Sequence, residues 1–106
     1  MAASAVASAA RLWGADVCRF SVGGSTHGNQ ALALAVGAPG DRVIVSRTLH
    51  RSLLLGLVLA GLTPVWVRPD VDDLGMPRGR PPRALTDALA LTPDAVAVFI
   101  GDPSYV

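Results

Sequence analysis

Apolar residues in this chain fall into short continuous runs, separated by longer stretches with helical spacing. The runs are Val17–Val22, Arg42–Ser46, Thr63–Arg68 and Ala95–Gly101, rich in Val and Ile and bounded by Gly, Pro and Asp. Runs that do not alternate suit strands covered on both faces. Between them, 3–12, 26–36, 51–60 and 82–91 read as helices. Gly37 and Gly61 supply stop signals, Pro81-Pro82 opens the last helix, and Pro93 lies beyond its end. The order α-β-α-β-α-β-α-β predicts an α/β fold of βαβ units on a parallel sheet. The stretch 69–82 (PDVDDLGMPRGRPP) is a surface loop by composition.

The helix expected from Arg51 onward has no polar side chain in LLLGLVLAGL. A helix that is apolar all round is covered all round. Four short strands and their helices are too few to enclose it, so it is expected either at the centre of a larger domain or at a subunit interface. The same run is about half the ~20 residues of a membrane span, so no membrane partner is expected.

Composition narrows the chemistry. In 106 residues with a net charge of +1, all nine cations are Arg and all eight anions are Asp. Charged residues make up 16% against 51% hydrophobic, which is globular rather than disordered. The balance gives no argument for nucleic acid. The single Cys18 excludes an intramolecular disulfide or a Cys-based zinc cluster, and no metal site is expected. One cysteine and no basic n-region ahead of the Ala-rich start fit a cytoplasmic chain. The absence of Lys excludes Schiff-base chemistry by these residues, and also a Walker-type phosphate loop.

Two polar segments carry candidate chemistry. Gly23-Gly24-Ser25-Thr26-His27-Gly28-Asn29-Gln30 joins a predicted strand to a predicted helix. Unpaired N–H groups at a helix start, close backbone approach at Gly24 and two hydroxyls can hold a phosphate without a cation. The plainer alternative is that Ser25 or Thr26 merely caps the helix. A dinucleotide fingerprint fails on glycine spacing and on Ser46-Arg47, where an acid belongs. The second segment, Ser46-Arg47-Thr48-Leu49-His50-Arg51-Ser52, starts the apolar helix. His50 reads either as a helix-start or satisfied core residue, or as a ligand contact. Carboxyl ends of neighbouring parallel strands share one edge, so His50 and the 24–28 loop are expected to meet there if their strands are neighbours.

These segments, with WGAD–VCRFSV before them and PVWVRP and VAVFIGDPSYV after them, resemble the Orn/Lys/Arg decarboxylase family. Its members are pyridoxal-phosphate enzymes of the aspartate-aminotransferase-like fold (fold type I). The family pattern runs Asn-Gly-Ser/Thr-Ser/Thr-x-Gly-Asn, then Arg-Asn-x-His-Lys-Ser, a Pro-Val-Tyr-x-x-Pro strand and a Pro-Thr-Tyr segment. The likeness covers almost the whole chain in the right order. It implies that Ser25, Thr26 and His27 surround the phosphate of pyridoxal 5'-phosphate and that His50 stacks on the pyridine ring. The departures are Gly23 for Asn, His27 at the variable loop position, Thr48 for Asn and Arg51 for Lys. Asp102-Pro103-Ser104-Tyr105 matches the last segment loosely.

The resemblance further implies an amino-acid substrate (lysine, arginine or ornithine) and a homodimer or higher oligomer for the complete enzyme. The Schiff-base Lys and the Asp that pairs with the pyridine nitrogen lie downstream of the matched segments in the family. Residues 1–106 are therefore expected to be a partial major domain, truncated at both ends and inactive alone. Two other readings remain open. One is a small α/β module binding a phosphorylated ligand, and the other a truncated gene product with no function.

Overall fold

The computed structural model describes residues 2–78 and 82–101. Helices α1 (Ala2–Trp13), α2 (Gly24–Val36), α3 (Arg51–Ala60) and α4 (Pro82–Leu91) alternate, after α2, with strands β1 (Arg42–Ser46), β2 (Thr63–Val67) and β3 (Ala97–Phe99). The sheet is parallel in the order β2-β1-β3, with Val43 opposite Pro64 and Ala97, and Val45 opposite Trp66 and Phe99.

β1 lies at the centre of the sheet, and its VIV core is fully buried on both faces. Val43 and Val45 join Ala33 of α2, Leu53, Leu57 and Ala60 of α3, and Phe99 in one core. Ile44, on the alternate face, lines a cavity of about 230 Å³ together with Leu85 of α4, Val67, Val98 and Ile100. The continuous apolar run predicted this two-sided burial.

Residues 51–60 form a helix as predicted, and Gly61 closes it in the left-handed region at φ 70°. Its N–H bonds Val58 O at 3.1 Å, and Leu62 N–H bonds Leu57 O at 3.0 Å. Only one stripe of α3 is covered: Ser52, Leu53, Gly56, Leu57 and Ala60. Val58 and Leu59 on the other side are 72% and 63% exposed. Within this chain the helix is half-clad, which agrees with its needing more neighbours than these strands provide.

The expected first strand, Val17–Val22, does not form. These residues are irregular, and Val17, Phe20 and Val22 are exposed. A strand exists only by pairing, and both edges of β1 are already taken by β2 and β3. Residues 17–22 pair with neither outer edge of the three-stranded sheet, so this β-prone sequence joins no ladder. The last strand is also shorter than its apolar run, Ala97–Phe99 within 95–101, because only Val43–Val45 lie opposite it.

Candidate functional site

The first segment turns at Val22-Gly23 and enters α2 at Gly24, whose φ of +73° is a conformation that favours glycine. Gly23 is the N-cap and offers no side-chain cap, so the first-turn N–H groups lack a side-chain acceptor. Ser25 and Thr26 lie inside the first turn rather than at the cap. Both are exposed, and neither hydroxyl has a hydrogen-bond partner among the described residues. The capping alternative therefore does not describe them. A Cβ placed on Gly24 or Gly28 would meet nothing within 4 Å, so open space surrounds these donors. At Gly23, by contrast, a Cβ would come within 2.7 Å of the His27 Cβ. The departure from Asn at this position thus goes with the way the first turn folds back. His27 Nδ1 lies 3.2 Å from Ser21 Oγ, which donates to Gly24 O at 3.2 Å.

The second segment leaves β1 at Ser46, which is buried. Its Oγ bonds Thr48 Oγ1 at 2.8 Å and accepts the Thr48 N–H at 3.3 Å. The hydroxyl of Thr48 thus serves the local turn where the family has an amide. His50 is the N-cap of α3 in extended conformation, and its Nδ1 accepts the Ser52 N–H at 3.1 Å. Ser52 Oγ lies 2.8 Å from the same nitrogen and accepts from Asn29 Nδ2 at 2.9 Å. His50 is therefore a helix-start residue, and it remains exposed.

The Asn29–Ser52 bond ties α2 to α3, and four residues further along each helix Gly56 packs on Ala33, its missing Cβ leaving 3.2 Å to the Ala33 Cβ. The two helices run side by side in the same direction. Their starts share one end of the layer, beyond the carboxyl end of β1. Ser25, Thr26, His27 and His50 are thus brought to one edge, although Val17–Val22 is not the neighbouring strand that the sequence led us to expect. No direct hydrogen bond joins the 25–27 turn to His50 among the described residues; Asn29 and Ser52 form the link. Sequence reasoning gave no role to either. The available signal was Ser52 two residues after a capping histidine, where the first helical N–H groups need acceptors.

Beside this edge Arg47 lies 5.7 Å from the centroid of the Trp66 ring. Arg47, Thr48 and Arg68 line an open cavity of about 470 Å³. Asp102–Tyr105 lie outside the described residues. Among the described residues no helix is long and apolar enough to cross a membrane, and no group of three or more His, Cys, Asp or Glu could hold a metal ion.

A helix start with unpaired N–H groups, two unpartnered hydroxyls and glycines that leave room is suited to an oxyanion such as a phosphate monoester. The family model for the Orn/Lys/Arg decarboxylase major domain matches residues 1–102. Arginine decarboxylase of Halalkalibacterium halodurans is 36% identical over 98 residues, covering 92% of this chain and 20% of that protein. Arginine decarboxylase of Bacillus subtilis is 34% identical over the same shares. Constitutive lysine decarboxylase of Escherichia coli is 29% identical over 77 residues. The solved structure of that lysine decarboxylase superposes with a TM-score of 0.78 at 24% identity, over 95% of this chain and 16% of that chain, which shows a shared fold. The chain spans about a fifth of the length of the arginine decarboxylases it matches.

Proposed function

The chain belongs to the Orn/Lys/Arg decarboxylase family, whose members depend on pyridoxal phosphate, and from that we propose that it carries the phosphate-holding and ring-contact part of such a site. The enzyme it serves decarboxylates a basic amino acid: lysine, arginine or ornithine. One observation carries the reading. The open first turn of α2 and the exposed His50 lie at one edge, joined through Asn29 and Ser52.

In this reading the first-turn N–H groups of α2 and the hydroxyls of Ser25 and Thr26 hold the phosphate. His27 borders it, tethered by Ser21. His50 lies against the pyridine ring, its imidazole face covering one side and excluding water there. When bound, pyridoxal phosphate supplies an electron sink for the pair left behind as the substrate carboxylate departs as CO₂. These residues bind and orient; none of them forms the covalent link to the cofactor, because the 106 residues contain no Lys. Residues 1–106 are thus part of a major domain. The complete enzyme is a dimer or larger, and this stretch does not decarboxylate by itself.

The test is a titration of the full chain with pyridoxal phosphate, followed by cofactor fluorescence, alongside an assay for labelled CO₂ release. Expected are saturable, non-covalent binding, weakened at least tenfold by Ser25→Ala with Thr26→Ala, and no CO₂ release. Release of CO₂ by this chain alone sinks the reading. If inorganic phosphate binds as tightly as the cofactor and His50→Ala changes neither, the site is a simple phosphate module instead.

A further inference from the structure

The hydrogen bonds around His50 have a direction, and the direction fixes where its proton sits. The Ser52 backbone N–H can only donate, and it meets His50 Nδ1 at 3.1 Å. A ring nitrogen that accepts carries no hydrogen of its own. Ser52 Oγ, 2.8 Å from the same atom, therefore gives it its single hydrogen. The oxygen is left with lone pairs, and one of them takes the Asn29 amide N–H at 2.9 Å. The chain runs one way throughout: Asn29 to Ser52 to His50. Ser52 is only 3% exposed, so water has little access to replace either partner. Turning the ring over would present a carbon to both donors and lose both bonds.

We propose that Ser52 and Asn29 are positioning residues, holding His50 with its proton on Nε2 and its ring plane fixed, so that the imidazole face is set before the cofactor arrives. The inference rests on the reading of His50 as the ring-contact residue. Prior fixation matters because a freely turning ring must be ordered on binding, and that ordering is subtracted from affinity. The other histidine supplies an internal contrast. Ser21 Oγ spends its hydrogen on Gly24 O, so His27 Nδ1 must donate to Ser21 Oγ and carries the proton. The two rings hold opposite tautomers.

Nitrogen-15 NMR of the full chain labelled at histidine reads this directly, without cofactor, at about pH 8.5, where free imidazole is neutral. His50 is expected as a single form with Nδ1 bare and Nε2 protonated, and His27 as the reverse. Asn29→Asp, whose carboxylate accepts the Ser52 O–H, turns that hydroxyl away from Nδ1 and leaves the backbone N–H as its single donor, so the His50 Nδ1 signal moves while the proton stays on Nε2. Ser52→Ala, which keeps the backbone N–H but loses the hydroxyl, moves the Nδ1 signal in the same way, whereas Ser52→Thr, which keeps both donors, leaves it in place. A role in helix stability alone moves none of these shifts in that pattern. Mixed tautomers at His50 in the unsubstituted chain overturn the proposal, as do Asn29→Asp and Ser52→Ala spectra identical to it. Adding pyridoxal phosphate to the same sample separates the two claims. If the tautomer is fixed and the His50 signals stay unmoved at saturation, the ring contact is wrong, and with it the purpose assigned to the hydrogen bonds.

Discussion

His50 caps α3 through Nδ1 and is exposed, which leaves its ring for the proposed cofactor contact. Substitutions can separate them. Asn is among the best N-caps, so His50→Asn should keep chain stability within a few tenths of a kcal/mol while the aromatic contact to cofactor is lost. His50→Ala should lose both, with a stability cost of about 1 kcal/mol. Urea melts and cofactor titrations on the two variants check this together. The candidate residues were legible because Ser25, Thr26 and His50 are polar interruptions beside apolar runs. Ser52 and Asn29 were not. Both stand at fixed positions of the resembled pattern, but their contact joins two helices, and neither segment alone says that Asn29 reaches Ser52. Gly23 shows the same limit: its need for a bare α-carbon comes from the backward fold of the first turn onto His27.

The pairing of α2 with α3 depends on what Gly56 lacks. A Cβ there would meet the Ala33 Cβ and the Gln30 Cα, both at 3.2 Å, and the Asn29 carbonyl oxygen at 3.3 Å. Two of these neighbours are backbone atoms and cannot turn aside. Gly56→Ala should therefore push the helices apart and destabilise by about 1–3 kcal/mol despite the better helix propensity of alanine. Denaturant midpoints measure the loss, and the same displacement should lengthen the Asn29–Ser52 bond and move the His50 Nδ1 signal. The ion pair between Arg42 and Asp94, at 3.2 Å with both side chains well exposed, belongs to the other extreme. Asp94→Asn should change stability by less than about 1 kcal/mol in the same melts. Helix boundaries were readable at Gly37, Gly61 and Pro82, whereas α2 begins at Gly24 rather than Thr26 and β3 is shorter than the run between Pro93 and Gly101. Val17–Val22 was misread because its sequence reports β-preference, while a strand also needs a neighbour that composition cannot supply.

Across the whole molecule, apolar surface lies open on α3 and along 17–22, with Val58 at 72% and Val22 fully exposed. Contiguous apolar surface of this kind marks contact with other protein. A hydrophobic dye should therefore bind the native chain at low concentration. Sedimentation should show association that rises with protein concentration and strengthens in sulfate. A monomer that ignores the dye would contradict this picture. The covered half of the molecule was readable from the continuous apolar runs. The uncovered half was readable only as an excess, a helix with no wet side and too few neighbours to bury it.

The place of β1 in the sheet also sets a timetable. Its partner β2 follows after a single helix, but β3 begins only at Ala97. As the chain leaves the ribosome, β1 waits with one edge bare until nearly all of these residues have emerged. Bare strand edges recruit whatever backbone is nearby, and distant pairings are slow because a long loop must close first. The most deeply buried strand is thus the last to be secured, so mistakes in assembly should begin along the edge where β3 docks.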